Sequence, residues 1–106
     1  MLEMDVTALR RRLADPNPIT VVDVREDWEW TSSHIPQAVH IPLGEIASRL
    51  GELDKQSDVA FICHLGARSE QATELALAQG FKHAVNVTGG MNAWEAQHYE
   101  TEPSRR

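Results

Sequence analysis

Val59-Ala60-Phe61-Ile62-Cys63-His64-Leu65-Gly66-Ala67-Arg68-Ser69 is the stretch that decides the fold. Four apolar residues in a row read as a strand buried on both faces. A short loop with Gly66 follows, and the run beginning near Ala67 has helical character. A strand that feeds directly into a helix implies a crossover connection and a parallel sheet. Cys63 falls in the loop between the two, where backbone N–H groups converge on one spot and favour an anion. A cysteine needs such a site to become a reactive thiolate. The same position also suits a buried structural thiol.

Working outward, the pattern alternates between helix and strand. Asp5 is placed to cap a helix whose apolar stripe is Val6, Leu9 and Leu13, and Asp15-Pro16-Asn17-Pro18 ends it. Ile19 to Val24 is β-branched and largely apolar, as in a buried parallel strand. Glu26 to Ser33 reads as a short helix carrying Trp28 and Trp30. Ala38-Val39-His40-Ile41 follows as a second strand between Pro36 and Pro42. Leu43, Ile46, Ala47 and Leu50 mark a helix that Gly51 is placed to close. After the strand at Val59 to Ile62, a helix over about Ala67 to Gln79 stops at Gly80. A fourth strand, Ala84 to Val87, leads into Gly89-Gly90 and a last helix through Trp94.

The expected architecture is a single α/β domain over 1–106: a central, mostly parallel sheet with helices on both faces. Residues 100–106, polar and containing Pro103, read as a flexible tail. In such sheets the ligand crevice lies beyond the carboxyl ends of the strands. Asp23, Cys63 and the Thr88-Gly89-Gly90 turn stand at three of those ends.

Composition narrows the class of function. The chain has 106 residues, 42% hydrophobic and 25% charged, within the range of a single globular domain. Its net charge of −6 argues against nucleic-acid binding, which needs Lys and Arg to neutralise phosphates. No apolar run approaches the roughly 20 residues of a membrane span, so no membrane partner is expected. The acidic start Met1-Leu2-Glu3-Met4-Asp5 has no signal-like apolar core, and the one Cys forms no internal disulfide. Both features fit a cytoplasmic protein.

The Cys63 loop carries the chemistry. A free thiol has a pKa of about 8.5, and loop N–H groups, a helix dipole and a nearby Arg all favour its charged form. Gly66 lets the backbone approach an anion closely. Arg68 stands where its guanidinium either faces the pocket or clamps the loop through a carboxylate. Asp23 is the first carboxylate to consider for that clamp, with Arg25 beside it as loop support.

Taken in order, Val22-Asp23-Val24-Arg25, Glu29-Trp30, His34-Ile35-Pro36 with Ala38, Ile41-Pro42-Leu43, the Cys63 to Ser69 loop and Gly89-Gly90 with Trp94 resemble the rhodanese-like domains. The resemblance runs from about Val21 to Trp94. It implies a small α/β fold and a sulfurtransferase of the thiosulfate:cyanide type. A sulfane sulfur would pass from a small donor, thiosulfate or a persulfide, or from a protein persulfide partner, to a thiol or cyanide-like acceptor. Cys63 matches the persulfide-forming cysteine. His64, Leu65, Gly66, Ala67, Arg68 and Ser69 match the loop that cradles the bound sulfur. No cofactor and no metal is implied.

The chain also departs from the family pattern. Ser33 and Gln37 stand where glycines are usual, so those turns must accept side chains. Many active members resemble C-R-x-G-x-R-S, whereas here His64 and Leu65 replace the cation and wall the mouth with an apolar group. A doubly charged donor then meets less positive charge. Two other readings stand beside sulfur transfer. One is a non-catalytic interaction module on the same fold. The other is a phosphatase, which the loop disfavours because four residues rather than five separate Cys63 from Arg68. His34 is expected to bond backbone in its turn, and Trp28, Trp30 and Trp94 to pack in or against the core.

Overall fold

A computed structural model describes residues 1–104. Five strands form one all-parallel sheet in the order β1-β5-β4-β2-β3: β1 Leu2–Met4, β2 Thr20–Asp23, β3 Val39–His40, β4 Val59–Ile62 and β5 Ala84–Val87. Helices α1 Val6–Leu13, α2 Asp27–Ser32, α3 Leu43–Arg49 and α4 Ala67–Ala78 make the connections, a 3₁₀ turn at Leu50–Glu52 extends α3, and α5 Gly90–Ala96 follows the last strand. Parallel strands need such crossovers, because the end of one strand and the start of the next lie at opposite ends of the sheet.

Alternation along the central strands builds two cores. Val22, Val59, Phe61 and Cys63 point to the side where Ile46, Leu50, Ala72 and Ala76 of α3, its 3₁₀ turn and α4 pack. Val21, Ala60, Ile62 and Val87 point to the other side, toward Leu9 and Leu13 of α1 and Met91 and Trp94 of α5. This is the period-2 geometry of a strand, with a helix layer on each face. Asp5 caps α1 as its position implied, accepting the Ala8 N–H at 2.8 Å.

Three expectations are corrected. The sheet has a fifth strand, β1, whose partner β5 lies some eighty residues along the chain at the register Leu2↔Val85. Residues 100–104 do not form a loose tail. Glu102 and His34 exchange backbone hydrogen bonds at 2.9 Å, the Ser104 N–H reaches the Thr31 carbonyl, and Trp94 Nε1 donates to the Glu100 carbonyl. Residues 105 and 106, the rest of that expected tail, lie outside the described residues. Trp94 is buried and Trp30 half-buried, but Trp28 is 73% exposed because its α2 position faces away from the sheet. Ser33 is extended rather than left-handed, which is how a serine is accepted there without strain.

Candidate functional site

Cys63 follows the last residue of β4 and is 1% exposed. Its loop is held from outside by α5. Met91 N–H donates to the Cys63 carbonyl at 2.8 Å and Asn92 N–H to the His64 carbonyl at 3.0 Å. With those carbonyls turned toward α5, loop N–H groups are free to face the sulfur. Gly90 makes this approach feasible: a Cβ there would sit 2.4 Å from the Cys63 carbonyl oxygen. Gly66 adopts φ +128, a left-handed conformation open to glycine, and starts α4. Its N–H points at Cys63 Sγ from 3.1 Å. The first-turn amides of α4 have no carbonyl in a preceding turn, so the helix end adds partial positive charge at the same place.

Burial pushes the Cys63 thiol pKa up. The Ser69 hydroxyl, which lies 3.3 Å from Sγ and shares its one proton between Sγ and Asn86, and the N–H groups of Ser69, Gly66 and Leu65 pull it down, and together they win. The thiol therefore sits below its ordinary range. Hydrogen bonds to the charged form outweigh desolvation here.

Arg68 is clamped, but by a different carboxylate from the one expected. Its Nη1 and Nη2 donate to the two oxygens of Glu29 at 2.7 and 3.0 Å, a bidentate pair between α4 and α2. The Arg68 guanidinium, with a smaller contribution from the Glu26 N–H, holds Glu29 down to about 2 against the opposing effect of burial. Glu29 also accepts the Glu26 N–H at 3.0 Å, which fixes the start of α2. Asp23 is occupied elsewhere. Both its oxygens bind Arg25, at 2.9 to 3.1 Å, and Arg25 Nη2 continues to the Ser33 carbonyl at 2.7 Å. Asp23 and Arg25 thus join β2 to the end of α2 and do not touch Arg68.

The loop tip is open: His64 and Ala67 are exposed and Leu65 is 62% exposed. Ser69 is buried, and its hydroxyl donates to Asn86 Oδ1 of β5 at 2.6 Å. Neither Glu29 nor Asn86 had an expected role. Glu29 lay within the quoted Glu29-Trp30 pair, but nothing in the spacing linked it to Arg68. Asn86 had a usable signal, a lone amide inside the otherwise apolar run Ala84 to Val87. His34 binds the Trp30 carbonyl through Nδ1 at 2.9 Å, and its ring stacks on Trp30 at 3.6 Å. Among the described residues no three His, Cys, Asp or Glu side chains gather as metal ligands, and no helix is long and apolar enough to cross a membrane. A cavity of about 470 Å³ lies between α1 and the end of α5, lined by Arg10, Arg11, Trp94 and Tyr99, and none of the Cys63 loop lines it.

Comparison with known proteins places these features in context. The family model described as Rhodanese-like domain matches residues 5–97. The chain is 43% identical over 101 residues to YtwF of Bacillus subtilis, covering 95% of this chain and 94% of that protein. It is 38% identical over 96 residues to a protein named sulfurtransferase from Allochromatium vinosum, covering 91% and 89%. YrkF of Bacillus subtilis is 40% identical over 92 residues, 87% of this chain, and the chain spans only 50% of its length. Among solved structures, the human single-domain sulfurtransferase TSTD1 superposes with a TM-score of 0.85 at 27% identity, covering 92% of this chain and 97% of that one.

Proposed function

The chain belongs to the rhodanese-like domain family, and we propose that it transfers sulfane sulfur through a persulfide on Cys63. The relatives named sulfurtransferases support sulfur transfer as the general activity. The observation that carries the finer reading is a thiol of lowered pKa at a strand end, with the Gly66 N–H 3.1 Å from its sulfur.

In this mechanism the Cys63 thiolate attacks the donor's sulfane sulfur. The new bond joins that sulfur to Sγ. The bond to the rest of the donor breaks, and its electron pair leaves with sulfite or with a thiolate. An acceptor nucleophile then attacks the outer sulfur, and the pair of the cleaved S–S bond returns to Sγ. One displacement is split into two easier ones. Between them the outer sulfur is anionic, and the preorganised N–H groups of the loop and the α4 terminus oppose its charge without rearranging.

The clamp bears on donor choice. Arg68 is the loop's fixed cation, and its charge is matched by Glu29 at hydrogen-bonding distance. His64 supplies no fixed charge, and the net charge of the chain is −6. A doubly negative donor such as thiosulfate gains little steering from such a mouth. A persulfide on a small thiol or on a protein is the preferred donor in this reading. Steady-state kinetics with both donor classes tests it. The expected result is a much higher kcat/KM for the persulfide, and a micromolar KM for thiosulfate would overturn the preference. Absence of sulfur uptake from every donor class would instead favour an interaction module on this fold.

A further inference from the structure

Asn86 is 3% exposed on β5, between the apolar residues Val85 and Val87. A buried amide is destabilising unless its hydrogen bonds are made, so its partners reveal its task. Oδ1 lies 2.6 Å from Ser69 Oγ and Nδ2 lies 3.4 Å from the Gly66 carbonyl. That carbonyl fixes the amide's orientation, since turning it over would bring two acceptors together. Asn86 therefore accepts and Ser69 donates. The Ser69 hydroxyl has a single proton and three acceptors within reach: Asn86 Oδ1 at 2.6 Å, the Gly66 carbonyl at 3.1 Å and Cys63 Sγ at 3.3 Å.

A neutral Cys63 makes no demand on that proton, because its S–H can donate to a lone pair of Ser69. A thiolate does demand it, as a hydrogen bond to the charged form. We propose that Asn86 is a positioning residue that draws the Ser69 proton away from Cys63 and so holds the unloaded cysteine toward its thiol form. In a persulfide the charge sits on the outer sulfur, among the loop N–H groups, and Sγ is a divalent sulfur with little need of a donor. The Ser69–Asn86 bond then has no rival. The pair disfavours one state, the free thiolate, relative to both the thiol and the loaded form. The effect on the loaded form rests on the persulfide chemistry proposed above, whereas the effect on the empty thiol does not.

The charged or titratable groups around Cys63 are Arg68, with its partner Glu29 and nearby Glu26, and the exposed His64 on the loop; on the β2 side Arg25 is bonded to Asp23 and to the Ser33 carbonyl. From β5 and α5 the facing groups carry no charge. These surroundings are common to all the variants compared, so differences between them isolate the Ser69 proton.

The test is the pH dependence of Cys63 alkylation by iodoacetamide in the wild type, Asn86→Leu, Ser69→Ala and the double variant. Asn86→Leu is expected to lower the midpoint by about one unit, in line with one hydrogen bond redirected to a charged group. Alkylation at neutral pH speeds up accordingly. Ser69→Ala is expected to raise the midpoint more in the Asn86→Leu background than in the wild type. A midpoint that stays put or rises in Asn86→Leu overturns the proposal, as does equal response to Ser69→Ala in both backgrounds. Asn86→Ala carries the same expectation through a smaller side chain if the leucine variant fails to fold. Alkylation requires no sulfur donor, so its outcome is separable from that of the persulfide reading.

Discussion

Two arginine–carboxylate pairs stand at the same corner of the sheet and differ in almost every physical respect. Arg25 and Asp23 are two residues apart, their side chains 6% and 0% exposed, and Asp23 also accepts the Arg25 backbone N–H. Arg68 and Glu29 are 39 residues apart, with 33% and 11% of their side chains exposed. The first pair is sealed in the scaffold and anchors the exit of β2 to the end of α2. The second joins α2 to the catalytic candidate loop at the water's edge. A buried pair acts on folding, while a pair open to solvent and spanning two elements acts on the electrostatics and placement of the loop.

The largest contrast should come from breaking the sealed pair. Asp23→Asn leaves Arg25 buried without its counter-charge, and stability should fall by about 3–5 kcal/mol in chemical denaturation. Donor preference of the remaining folded protein should not change. Breaking the open pair should invert that pattern. Glu29→Gln is expected to cost less, about 1–2 kcal/mol, because the Arg68 half of the pair is a third exposed and partly screened. It frees the Arg68 charge, and the KM for thiosulfate should fall several-fold. If Asp23→Asn alters donor preference, or Glu29→Gln leaves the thiosulfate KM unmoved, the division of labour between the pairs is wrong.

Acid sharpens the same comparison. Glu29 is held at about 2 in the folded chain against an ordinary 4.5, so its contribution is fully present above 4.5. It is lost as pH falls from there through about 2. Glu29→Gln should flatten the part of the acid-unfolding slope that this carboxylate supplies, measured as stability against pH. The smallest effect is expected at a third arginine. Arg49 contacts Glu45 and Glu52 on the exposed side of α3, and Arg49→Ala should leave sulfur loading unaltered and stability nearly so.

Why the strands and Cys63 were legible in the sequence and the partner of Arg68 was not has a physical answer. β2, β4 and β5 announce themselves by apolar, β-branched runs buried on both faces, and Cys63 at the end of β4 follows from the strand-to-helix switch. The partner of Arg68 depends on how α2 turns over the loop. Asp23 looked suitable because it ends a neighbouring strand, yet Arg25 reaches it locally and closes it off. β1 escaped notice because two exposed residues and one half-buried one carry little periodicity and their pairing with β5 is made across most of the chain. The strap formed by residues 100–104 is likewise held by distant groups, with Glu100 on Arg10 and Glu102 on His34. Asn86 was visible as a residue, but its significance needed the 2.6 Å approach of Ser69.

Whether Cys63 carries the sulfur is read from the intact mass of the protein after exposure to a sulfane donor. One added sulfur is expected on the wild type, lost on addition of a thiol acceptor, and none on Cys63→Ser. A wild-type mass unchanged under thiosulfate, small-molecule persulfide and protein persulfide donors alike would contradict it.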